Sequence, residues 1–206
     1  MTDTLVDLAE DSRSALVELV VRGMHRGEVS SSQQALVDSG LATARGPVLM
    51  PSHQGVALVS ELLRLTPGSE DEQKVYALFL AFLPVNRRLR EVCTDWQRLP
   101  DGSANDHSDA AWDAEVRDRL EDIDNAIGRV IKRLAALHPE LGTYRTDLTE
   151  ALDRFDGGDL SALASPLSAS YHNVWMWLHQ QLLLMLGISR AEDEKLEEKL
   201  VSEQNA

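Results

Sequence analysis

Between Val75 and Trp96 the apolar residues Val75, Leu78, Phe79, Phe82, Val85, Leu89, Val92, Cys93 and Trp96 recur every three or four positions. That is the period of one helix face, so the spacing predicts a single long helix from about Glu70 to Gln97. A stripe of this length needs an equally long apolar partner to cover it. The partner follows the Pro-Asp-Gly turn at 100–102, where Trp112, Val116, Leu120, Ile123, Ile127, Val130, Leu134 and Leu137 repeat the same pattern. Two long stripes joined by a turn commit this part of the chain to a helical bundle. Pro84 lies inside the first stripe, lacks an N–H, and predicts a kink there.

The remaining segments are shorter. Ala15, Leu16, Leu19, Val20 and Met24 predict a helix over 12–24, and "SSSQQALVDSG" predicts a second, short one stopped by Gly40. "LATARGPVLM" is the only strand material, two short runs about an Arg-Gly-Pro turn that suggest a hairpin. "PSHQGVALVSELLRL" predicts a helix capped by Ser52. Pro67 and Gly68 then break the pattern. Beyond the two long helices, a shorter helix spans about Tyr144 to Phe155, and a last core helix runs from Ser168 or Ser170 to Leu186, stopped by Gly187. These signals give a mainly α chain in three parts: a domain over 1–66, a helical bundle over 67–188, and a charged tail over 189–206.

With 20 Lys and Arg against 34 Asp and Glu, the formal charge of the 206 residues is −14. A surface of that sign repels phosphate backbones, which argues against nucleic-acid binding by charge alone. Cys93 is the single cysteine, so no internal disulfide forms. The first residues lack a basic region followed by an apolar run, and the most apolar stretch, "VWMWLHQQLLLMLGI", is broken by His179, Gln180 and Gln181 and too short for a bilayer. A cytoplasmic protein without a membrane partner is expected.

The order helix, short helix, hairpin, helix over 12–65, carried by "DSGLATARGPVLMPSHQGVALVSELL", resembles a winged-helix domain of the MarR-like kind. In that resemblance "DSGL" ends the recognition helix and "PVLMPSHQG" is the wing strand running into a linker helix. It implies a DNA-binding domain that works as a homodimer, with Arg22, Arg26 and Arg45 as the cations available to phosphates. Two departures oppose it. Between Gly27 and Gly40 there is room for one short helix where a helix-turn-helix needs two, and that helix carries no Lys or Arg. Residues 1–66 hold five basic and eight acidic side chains. A degenerate winged helix used for dimerisation or docking is the alternative.

The segments "FLPVNRRLREVCTDWQ", "NDHSDAAWD" and "SYHNVWMWLHQQLLLMLG" are similar to a helical domain of actinobacterial proteins that has no established activity. The resemblance implies an enzyme of the phosphoenolpyruvate-utilising type as a neighbour. In "NDHSDAAWDAEV", Asp106 or Ser108 is the expected cap of the Trp112 helix, and Asp109, Asp113 and Glu115 suit its positive end. Asp95, Asp106 and His107 then face the cations Arg87, Arg88 and Arg90, either as ion pairs pinning the loop 98–108 or as the rim of a small-molecule pocket. His172 and His179 on the last helix, with Trp175 and Trp96 as flat apolar walls, complete the candidate ligand set.

No metal is expected, because the i, i+7 spacing of His172 and His179 sets the rings ~10 Å apart along the axis. No cofactor motif, no nucleophile elbow and no phosphate loop occurs, and no catalytic residue is assigned. Cys93 lies on the apolar stripe, where burial disfavours the reactive thiolate. The sequence therefore leads to a regulator-like protein whose helical domain binds a small effector or mediates dimerisation. The alternative is an accessory subunit of a metabolic enzyme that never touches DNA.

Overall fold

A computed structural model describes residues 8–204. Among them the chain is mainly helical, with nine α-helices and one small antiparallel sheet. Residues 8–65 form one compact unit together with His179–Ser189, and Thr66–Leu178 form another with residues 190–204. The segment 179–189, which the sequence divides between bundle and tail, thus goes with the amino-terminal unit.

The amino-terminal unit runs α1 (Glu10–Arg22), β1 (His25–Arg26), α2 (Ser31–Asp38), β2 (Ala42–Arg45), β3 (Val48–Pro51) and α3 (His53–Leu63). Its sheet order is β1-β3-β2. The hairpin expected from the sequence is β2-β3, and β1 is an addition. A two-residue strand has no periodicity to read, and it exists because His25 and Arg26 pair with Leu49 and Val48. Leu16, Leu19, Leu36, Leu41, Leu49 and Val59 make the core, and Leu184 packs on it from the carboxy-terminal segment. Ser52 caps α3 as expected. Its hydroxyl accepts from Gly55 N at 3.1 Å and donates to Gly40 O at 2.7 Å, tying the helix start to the turn before β2.

The second unit is built on α4 (Glu70–Gln97) and α5 (Ala110–Leu137), 28 residues each and so about 42 Å long. They run antiparallel, since Asp95 at the end of α4 bonds Arg119 near the start of α5, while Asp71 at the start of α4 faces His138 after α5. Helix α4 continues through Pro84. A 3₁₀ turn (Pro139–Gly142), α6 (Thr143–Asp156) and the short α7 (Ser161–Ala164) follow. The last core helix, α8 (Tyr171–Leu186), starts after Ser170, whose hydroxyl accepts from Asn173 N at 3.3 Å. The charged tail is helical, α9 (Arg190–Gln204). Phe79, Phe82, Leu89, Leu120, Ile123, Tyr171 and Trp175 are almost wholly removed from water and form the core of this unit.

Candidate functional site

The acidic corner resolves into a helix start. Asp109, not Asp106 or Ser108, caps α5, its carboxylate accepting from Ala111 N at 3.0 Å and Trp112 N at 3.1 Å. The reason is reach: an N-cap side chain must meet the N–H groups two and three residues on, and the helix begins at Ala110. Asp106 instead is exposed and turns the loop by accepting from Ser108, whose hydroxyl and backbone N–H hold its carboxyl below the usual range.

His107 sits with φ at +60°, a left-handed conformation that costs a residue other than glycine energy unless its surroundings hold it there. Here they do. Its ring lies on Trp96 at 4.3 Å between centroids, its N–H donates to Asn105 Oδ1 at 2.9 Å, and its Nδ1 is 3.1 Å from Asp113 Oδ2. Asn105 Nδ2 has two hydrogens, and its best acceptors are Asp113 Oδ1 at 2.8 Å and Trp96 O at 3.1 Å. His107 Nδ1 is then the donor to Asp113, which fixes its tautomer. The Asn105 amide and His107 Nδ1 together join the loop to α4 and α5. Asn105→Ala removes both of its donor contacts at once and is expected to cost about 1–2 kcal/mol in denaturant unfolding. An unchanged midpoint would show that the knot does not hold the corner.

The expected pairing of Arg87, Arg88 and Arg90 with the loop is not what forms. Asp95 bonds Arg119 at 2.8 Å, across the α4–α5 seam, and its carbonyl accepts from Trp112 Nε1. Arg119 also lies over the Trp112 ring at 5.8 Å. Arg87 lies 3.8 Å from Glu91 one turn on, and Arg90 pairs with Glu197 of α9. Arg88 is exposed and enters no ion pair among the described residues. Distance along α4 accounts for the outcome: 87, 88 and 90 sit up to about two turns before Asp95 and farther still from the loop, and Arg87 and Arg90 have Glu91 and Glu197 nearer at hand.

The two candidate tryptophans, Trp96 and Trp175, are core. Trp96 is also edge-on to Phe155 at 4.9 Å, and Trp175 is wholly buried against Phe82 and Tyr171. Neither offers an open wall to a ligand. Cys93 is buried, which pushes its thiol up to about 12 and removes the thiolate at neutral pH. His179 is buried in the part of α8 that goes with the amino-terminal unit.

His172 is half-buried, and burial lowers its pKa from the ordinary 6.5. The unfolded chain therefore takes up this proton at higher pH than the folded one. Its contribution is complete above about pH 6.5 and is lost as pH falls from there through the folded value. His172→Gln is expected to make unfolding free energy fall less than in the wild type between about pH 7.5 and about pH 5.5. Equal slopes would contradict this.

Two polar clusters escaped the sequence reading. Asp124, nearly buried, takes a two-pronged bond from Arg145 at 2.8 and 2.8 Å and a third from the Tyr171 hydroxyl at 3.0 Å. Burial first, and the adjacent carboxylate second, raise the Tyr171 pKa and keep its phenol a donor. Asn86, also buried, accepts from Trp175 Nε1 at 2.9 Å and donates to Glu197 at 2.7 Å. Asp124 and Asn86 were both readable in principle. Each stands on an apolar stripe, between Leu120 and Ile127 and between Phe82 and Leu89, where a polar residue must find a buried partner.

One groove of about 440 Å³ stands out, between the Pro84 region of α4 and α9. It is lined by Leu83, Pro84, Arg87 and Arg90 on one side and by Glu194, Glu197, Glu198, Leu200, Val201 and Ser202 on the other. Of the residues singled out in the sequence for a pocket, only Arg87 and Arg90 reach it.

Of the three candidate DNA cations, Arg22 pairs with Glu18 at 2.9 Å. Arg26 and Arg45 are both paired in register with Val48, one from each edge strand. Leu49 points into the core, so its neighbours Val48 and Met50 face outward, and Arg26 and Arg45 share that outward face. Among the described residues no helix is long and apolar enough to cross a membrane, and no three His, Cys, Asp or Glu side chains gather as a metal site. No family model, no curated protein and no solved structure matches this chain.

Proposed function

We propose that this is a regulator-like interaction protein, without catalysis, whose amino-terminal unit is a reduced winged helix that docks on a protein rather than on DNA. The observation that carries this reading is the make-up of α2. It occupies the place of a recognition helix between β1 and β2, yet Ser31–Asp38 contains Ser, Gln and Asp and no cation. Phosphate contacts would fall to the wing arginines alone, against a chain charge of −14. The outward sheet face instead exposes Met50, and Met24 just before β1 is equally open. Soft, flexible methionines beside two arginines suit a protein surface. The resemblance read from the helical-domain sequence makes a phosphoenolpyruvate-utilising enzyme the first partner to try.

A second reading rests on the wing itself. Arg26 and Arg45 flank Val48 across three strands, about 10 Å apart, close to the reach of successive phosphates. Two measurements separate the readings. Co-elution with the phosphoenolpyruvate-utilising enzyme, lost in Met50→Glu, is the result expected for docking. Retardation of duplex DNA at low salt, lost in the double variant Arg26→Ala, Arg45→Ala, would replace docking with DNA binding.

A further inference from the structure

We infer that the groove between α4 and α9 is a binding site for an amphipathic organic cation, an apolar body bearing a single positive charge. This does not rest on the docking reading above, since it concerns the second unit alone. The volume of about 440 Å³ falls in the range of small-molecule sites. Its apolar surface comes from Leu83, Pro84, Leu200 and Val201.

The wall formed by α9 is held in place by a chain of bonds that runs from the buried core out to the surface. Trp175 donates to Asn86, Asn86 donates to Glu197, and Arg90 binds the other oxygen of Glu197. The groove is thus set before any ligand arrives, which spares the ligand the cost of ordering it.

The sign of the ligand charge follows from what is left over. Arg90 and Glu197 satisfy one another, and Arg87 has Glu91 at 3.8 Å. Glu194 and Glu198, one helical turn apart, enter no ion pair among the described residues. An anion would meet these two carboxylates and the field of a chain at −14. A cation pairs with them while its apolar part covers Leu200 and Val201.

Tetraphenylphosphonium and tetraphenylborate have nearly the same shape and opposite charge, so titrating each into the full chain, followed by calorimetry and by tryptophan fluorescence, isolates the sign. The phosphonium ion is expected to bind at least about tenfold more tightly than the borate. The double variant Glu194→Gln, Glu198→Gln is expected to weaken the phosphonium about tenfold and to narrow the gap between the two ions. Both side chains are exposed, so the variant keeps its fold. Leu200→Lys, which puts a fixed cation in the groove, is expected to abolish phosphonium binding. Equal affinity for the two ions, an unchanged double variant, or no phosphonium binding up to millimolar concentration would each overturn the assignment.

Discussion

Gly55→Ala is expected to destabilise the amino-terminal unit by about 3 kcal/mol, although alanine is the better helix former. A β-carbon at this position would lie 2.3 Å from Leu41 O and 3.2 Å from Leu16 Cδ1. Leu41 cannot yield. Its carbonyl accepts from Ser52 N at 2.9 Å and its own N–H donates to Leu36 O at 2.8 Å, so the clash would pull on α2, β2 and the cap of α3 together. Gly128→Ala in the interior of α5 is the control. There the added carbon meets only the end of the Arg145 side chain at 3.4 Å, and a gain of up to about 1 kcal/mol is expected from helix propensity. Thermal unfolding by calorimetry checks both. A Gly55→Ala protein as stable as the wild type would mean that α3 does not seat against β2 as closely as described.

The second large effect belongs to the Asp124 cluster. Arg145→Met leaves a nearly buried carboxylate with only the Tyr171 hydroxyl as donor. Removing one partner of a buried pair costs about 3–5 kcal/mol, because the remaining charge is uncompensated. The Arg145 side chain is 38% exposed, so water reaches part of the vacated space, and a loss near the low end, about 2–3 kcal/mol, is expected. Adding Asp124→Leu and Tyr171→Phe removes the stranded charge together with its remaining donor, and most of the loss should return. Urea unfolding of the single and triple variants measures this. If the single change were harmless, Asp124 would have another donor. If the triple change were worse than the single one, the cluster would be valued for its shape rather than its charge.

These two sites also show what was legible in the sequence. The long stripes placed α4 almost to the residue and α5 apart from its cap, because an amphipathic helix of 28 residues repeats its signal many times. The β2-β3 hairpin, the Ser52 cap and the stop at Gly187 were readable from local chemistry. The two-residue β1 was not, since it depends on a partner strand rather than on its own residues. The candidate ligand set failed for a related reason. Arg87, Arg88 and Arg90 are near Asp95 and His107 along the chain, but partners are chosen by helix face and by the neighbouring helix. Asp95 went to Arg119, and Arg90 to Glu197 on a tail that looked merely solvated. Glu197 is the clearest case, an acid in a run of acids whose role depends on Asn86, far back in the chain.

The division of α8 between the two compact units bears on how the protein is made. Leu65 N donates to Met185 O at 2.9 Å, the Arg64 guanidinium lies against Gly187, and Leu184 packs on the core formed by α1, α2 and β3. On a ribosome residues 8–65 emerge long before those partners exist, so the unit gains Leu184 and the Leu65–Met185 bond only after the bundle has been synthesised. A gene cut at Pro67 would encode a fragment with an open seam, prone to stick to its own kind, whereas one that carries residues 179–189 back through a linker should give a well-behaved product.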